Sequence, residues 1–147
     1  MKTCLLDVNV LVSLWWPAHE FHDLVQEWFD AGSGQNWATC PFTQAAFVRI
    51  VSNPAFSRDA VSPQEAVAVL EANVGHAGHH FWPDAISFWE SVQPMIRQIS
   101  GHQQISDSYL LGLAIHRHGK LATLDRGILS LIPPRHPARS LIEVISA

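Results

Sequence analysis

The chain has 147 residues, 48% hydrophobic and only 15% charged, which fits one ordinary domain with enough apolar mass for a core and excludes an intrinsically disordered chain. A formal net charge of −4 excludes a global positive field that would draw in nucleic acid. Any RNA or DNA contact must then rest on local cations, or on a metal that inverts the sign of an acidic site.

In chain order, Thr3–Leu6 is a short apolar run ending at Asp7, which predicts a buried first strand with Asp7 directly after it. Asp7 also sits where a secretory signal would continue its apolar region, and no apolar run approaches the roughly 18 residues needed to span a bilayer. Phe21, Leu24, Val25, Trp28 and Phe29 recur at helical spacing, so a helix with one buried stripe runs to Gly32-Ser33-Gly34. Trp37–Cys40 reads as a second strand and Thr43–Val51 as a helix closed by Asn53-Pro54. Ser62-Pro63-Gln64-Glu65 opens the next helix: serine caps it, proline suits its first turn, and glutamate completes a capping box. A third strand is expected at His79–Trp82, then a helical stretch over Ser87–Ile99 broken by Pro94. Asp107–His118 is a nearly all-apolar helix ended by Gly119. Strands follow at Leu121–Leu124 and Leu141–Ile145.

No repeat or linker divides the chain, and strands alternate with helices. The expectation is one α/β domain with a mostly parallel central sheet flanked by helices. Cys4 and Cys40 lie far apart in apolar settings and form no CxxC, which suits reduced core thiols in a cytoplasm.

In open parallel sheets, ligands sit beyond the carboxyl ends of the strands. Three aspartates are expected there: Asp7 after the first strand, Asp125 after Leu121–Leu124, and Asp107 opening the helix that feeds that strand. Each alone could be a helix cap or turn residue. Together they would repel one another, and a cation relieves that repulsion. An oxygen-only set favours Mg²⁺ or Mn²⁺ over zinc, and the implied chemistry is phosphodiester hydrolysis.

Leu5-Leu6-Asp7-Val8-Asn9, Ser106-Asp107-Ser108-Tyr109-Leu110-Leu111 and Leu121-Ala122-Thr123-Leu124-Asp125-Arg126 resemble, in order and spacing, the PIN-domain ribonucleases. The VapC-type toxins of bacterial toxin–antitoxin pairs are the nearest group. Cys40-Pro41, Thr43 and Phe47-Val48-Arg49-Ile50-Val51-Ser52-Asn53-Pro54 resemble that family's second block. The resemblance implies a single PIN-like domain over 1–147, an Mg²⁺ or Mn²⁺ site at Asp7, Asp107 and Asp125, cleavage of RNA, and inhibition by a VapB-type antitoxin. It also implies that Asn9 supports the first acid and Thr123 the last. One position departs from the pattern: where the family usually carries glutamate, this chain has Gln44, which keeps an amide oxygen and loses the charge. Two readings stand at this point. One is an active ribonuclease; the other is an RNA- or antitoxin-binding module with a metal site weakened at Gln44. An Asp-x-Asp phosphatase fits less well, because the second acid would be Asn9.

Arg49 and Arg126 are the candidate phosphate contacts, since arginine can grip phosphate bidentately. Of nine histidines, His19 and His22 lack the His-Glu-x-x-His zinc spacing, while His102 lies shortly before Asp107, within reach of an RNA bound there. Trp15 and Trp16 suit either base stacking or packing. The total of six tryptophans suggests a sizeable apolar interface, as in a homodimer or an antitoxin complex.

Overall fold

A computed structural model describes all residues, 1–147. Five short strands form one sheet: β1 (Cys4–Leu6), β2 (Trp37–Thr39), β3 (His79–Phe81), β4 (Lys120–Thr123) and β5 (Ile142–Val144). Their order is β3-β2-β1-β4-β5, and every pairing is parallel, so the sheet is wholly rather than mostly parallel. The chain builds outward from β1 to β3 and then crosses to the other side of β1 with β4. The strand order therefore reverses at β1/β4, the place where such sheets bind ligands.

Side chains alternate along each strand and feed two cores. Leu5, Ala38 and Leu121 face α6 (Ile105–His116), whose Leu110, Leu111, Leu113 and Ala114 are buried against them. Behind α6 lies the short helix α5 (Phe88–Val92). Cys4, Leu6, Trp37 and Ala122 face the opposite core. That core is closed by α1 (Val8–Trp15), α2 (His22–Asp30), α3 (Pro41–Val51) and α4 (Pro63–Val74). Both cysteines are buried and free, as expected. Trp15 packs edge-on against Trp37 and Phe47, with ring centroids at 6.1 and 4.9 Å, and Trp16 lies 5.3 Å from Phe56. Both tryptophans therefore pack against other rings.

Several boundaries differ from the sequence expectation. Helix α3 starts at Pro41, because proline suits a first helical position and Thr43 Oγ1 accepts from the Cys40 amide. Helix α6 starts at Ile105, so Asp107 lies in its first turn rather than at its opening. Strand β4 ends at Thr123, which puts Asp125 two residues beyond the strand. The helical stretch after Ser87 stops at Val92 and tightens into a 3₁₀ turn at Gln93–Met95 around Pro94. Helix α1 and the 3₁₀ turns at Arg126–Leu131 and Pro137–Leu141 lie outside the elements that the sequence pattern predicts. No helix is long and apolar enough to cross a membrane.

Candidate functional site

Asp7 leaves β1 at the strand-order reversal, tied to β4 by its amide bond to Ala122 O at 2.9 Å. It caps α1: Oδ1 accepts from the Val8 amide at 2.7 Å, and Oδ2 accepts from Thr123 Oγ1 at 2.7 Å. Only 4% of Asp7 is exposed. Burial raises its carboxyl above the usual range, the bonds from Thr123 and Val8 oppose the rise, and the charge of Asp125 adds to it.

Thr123 is the hub of this corner. Its hydroxyl donates to Asp7, accepts from Asn9 Nδ2 at 3.4 Å, and accepts from the Asp125 amide at 3.1 Å. Asn9 Oδ1 in turn accepts from the Leu124 amide at 3.3 Å. The two polar residues named from the sequence thus bind together the ends of β1 and β4. Asp125 is exposed and caps the following 3₁₀ turn by accepting from the Gly127 amide at 2.8 Å. Asp107 is half-buried and makes no hydrogen bond through its carboxylate. Its carboxyl is pushed up to about 6, first by burial and then by the charges of Asp7 and Asp125. The three aspartates therefore lie within electrostatic reach of one another.

No group of three His, Cys, Asp or Glu side chains is close enough to ligate one ion directly. The carboxylates are near enough to repel and too far apart to share an ion by direct bonds from all three. An ion that binds one or two carboxylates and keeps its waters still fits such a set, and Mg²⁺ is of that kind. A positive charge there would offset the repulsion among the three carboxylates and the burial of Asp7.

The remaining candidates make no hydrogen bond or ion pair with the three aspartates. Gln44 is half-buried, and its Nε2 donates to Thr39 Oγ1 at 3.0 Å, not to an aspartate. The same Thr39 hydroxyl lies 2.7 Å from His79 Nε2. Arg49 and Arg126 are exposed and form no ion pair; the one pair in the structure joins Lys120 and Glu143 at 3.9 Å. His19 and His22 are used locally around Ser13 and Phe21. A cleft of about 400 Å³ adjoins the acids, lined by Asp107, Asp125 and the segment Ser100–Gln104 with Ser130. His102, singled out in the sequence, lines it. Nothing in the sequence marks Gln104 and Ser130, which come together across 26 residues.

Crowding has a measurable consequence without metal. A carboxyl raised in the fold favours the folded state below its unfolded pKa, near 4, and that stability is lost as pH rises through about 6 for Asp107. His79 is lowered by burial and works in the opposite direction, so the single substitution is more informative than the whole pH curve. Asp107→Asn should stabilise the protein in EDTA at pH 8 by on the order of 1 kcal/mol, discounted for a half-exposed group, or about 3 °C in melting temperature. Near pH 4 it should change nothing. Calorimetry at both pH values checks this, and an equal effect at both would remove the charge explanation.

No protein-family profile matches the chain. It is 40% identical to Ribonuclease VapC39 of Mycobacterium tuberculosis over 126 residues, 86% of this chain and 91% of that protein. It is also 40% identical to Ribonuclease VapC38 of that organism over 131 residues, 89% of this chain and 91% of that one. Among solved structures it is similar to VapBC2 from Rickettsia felis bound to a promoter DNA fragment, with a TM-score of 0.64 at 13% identity over 98% of this chain and 99% of that one. FitAcB from Neisseria gonorrhoeae matches with a TM-score of 0.61 at 17% identity, over 98% and 97% of the two chains.

Proposed function

The chain belongs to the VapC family of ribonuclease toxins, and from that premise we propose that it is a metal-dependent endoribonuclease, acting through Asp7, Asp107 and Asp125. The observation that carries this reading is the convergence of three mutually repelling carboxylates at the strand-order reversal, one of them buried. Mg²⁺ or Mn²⁺ held there would polarise a phosphodiester and lower the pKa of a water. The chain's own residues do the rest. Thr123 and Asn9 lock Asp7 in place, so its carboxylate is preorganised. Asp107 has no partner inside the protein and is free to turn toward an ion or to orient a water. Asp125 sits at the mouth of the cleft, on a turn fixed by Gly127. Arg49 and Arg126, unpaired and exposed, are available to substrate phosphates.

The partners follow from the same reading. The substrate is RNA, and the inhibitor is a VapB-type antitoxin whose basic segment complements the acidic cluster, with electrostatics orienting the encounter. A homodimer in the cytoplasm is part of the proposal. Phe88 and Trp89, 49% and 65% exposed, supply apolar surface for association. The test is incubation of the purified protein with an RNA pool in Mg²⁺, in Mn²⁺ and in EDTA. Cleavage in metal and none in EDTA is expected; undiminished cleavage in EDTA would overturn the assignment.

Gln44 favours a second reading, a binding module with little turnover, because its amide is engaged with Thr39 and brings no charge to the acids. Glutamate would add a fourth negative charge, and the attraction for a divalent ion grows with it if the side chain reaches the site. On the ribonuclease reading, Gln44→Glu should tighten Mn²⁺ binding several-fold in a calorimetric titration and raise the cleavage rate. Unchanged affinity and rate would confine Gln44 to its contact with Thr39.

A further inference from the structure

The cleft beside the acids is lined mainly by polar residues, with Ile128 and Leu131 among them, and has no aromatic ring other than the imidazole of His102. Its rim is built by one side chain. Gln104 Oε1 accepts from the Ser100 and Gly101 amides at 2.7 and 3.2 Å, while its Nε2 donates to Ser130 Oγ at 3.2 Å. Ser130 Oγ donates to Gly127 O at 2.8 Å, and the Gly127 amide donates to Asp125. A continuous set of hydrogen bonds thus runs from the rim to an acid of the site. Gln104 fixes the 3₁₀ turn His102–Gln104 against the Arg126–Leu131 turn before any ligand arrives.

On this pinned rim, His102 and Gln103 are exposed and their polar ends have no partner within the protein. They share the cleft with Asp107 and Asp125, and they supply free hydrogen-bond donors beside those two carboxylates. Arg49 and Arg126 do not line it. The volume of about 400 Å³ lies within the range of small-ligand sites. Stacking surfaces for a base are missing, whereas donors for phosphate and hydroxyl oxygens are present.

We infer that this cleft is a substrate-strand subsite, in which His102 and Gln103 hold the ribose-phosphate of a nucleotide neighbouring the scissile bond. The inference rests on the ribonuclease reading for the position of that bond. The two side chains act as positioning residues, and preorganisation by Gln104 lowers the entropy cost of engaging the strand.

Fluorescence anisotropy with a fluorescein-labelled random-sequence RNA 20-mer, with Ca²⁺ in place of Mg²⁺, reads binding apart from cleavage. The double variant His102→Ala/Gln103→Ala should weaken RNA binding about ten-fold or more, as expected when hydrogen bonds to a charged group are lost. In Mg²⁺ its KM should rise in parallel while kcat stays within about two-fold. His102→Gln combined with Gln103→Ala should recover part of the affinity lost in the double variant, because it restores a donor at that position; a merely structural role would give no such rescue. Gln104→Ala should also weaken binding, by loosening the rim. Equal RNA affinity of the unaltered protein and the double variant would overturn the subsite, as would no RNA binding by the unaltered protein. Binding that depends on His102 and Gln103, without metal-dependent cleavage, would support the subsite and overturn the nuclease reading.

Discussion

Asp7→Asn, Asp107→Asn and Asp125→Asn should each lower metal-dependent RNA cleavage by about 10³-fold, the scale on which charged active-site groups count, while leaving the fold intact. The argument differs for each residue. At Asp7, asparagine is as good a helix cap as aspartate. It keeps an oxygen for the Val8 amide, and the Thr123 hydroxyl can accept from the new amide nitrogen in exchange for its long 3.4 Å bond from Asn9, a small local cost. At Asp125, the cap toward Gly127 is kept in the same way. Asp107 has no hydrogen bond to lose, and removing its charge relieves repulsion. The cost therefore falls on the charge that would attract the metal, with little on stability. RNA cleavage assays beside circular dichroism and melting curves check both halves. Cleavage by any of the three variants within ten-fold of the unaltered protein would remove that residue from the site.

The acids were legible because short apolar runs mark buried strands and each polar interruption marks a strand end. No alternation of polar and apolar residues is needed for this: Leu5-Leu6 before Asp7, and Leu121-Ala122 before Thr123, are buried on both faces of the sheet. Helix α1 is hidden for the same reason. Val10, Leu11, Val12, Ser13 and Leu14 are all buried, so no polar face reveals a helical period. The start of α3 is hard to place because Cys40 is an unusual cap, although Pro41 carries the signal. The turns after β4 depend on contacts made only in the folded chain. Arg139 Nη1 donates to the carbonyls of Leu129 and Ile132 at 3.1 and 2.8 Å, and no local pattern announces that. Gln104 and Ser130 are ordinary polar residues in sequence and become a rim only when two loops meet.

Gly112→Ala should lower stability by about 3 kcal/mol and the melting temperature by about 10 °C, against the direction that helix propensity gives. Gly112 lies within α6, where alanine would ordinarily gain up to about 1 kcal/mol. A Cβ there would collide with the Ser91 carbonyl oxygen and stand 2.5 Å from its carbon, near the end of α5. Those are backbone atoms, so no side-chain rotation relieves the clash. Ser91 is itself buried, with its hydroxyl donating to Phe88 O at 2.6 Å, and α5 has to move away as a unit. Packing therefore outweighs propensity. The same shift reaches the site, because Asp107 rides on α6 and its position relative to Asp7 depends on how α6 seats on the sheet. Cleavage measured well below the melting transition should fall with the stability. A melting temperature that rises in Gly112→Ala would mean that α5 yields freely, and α6 would then owe its seating to the sheet alone.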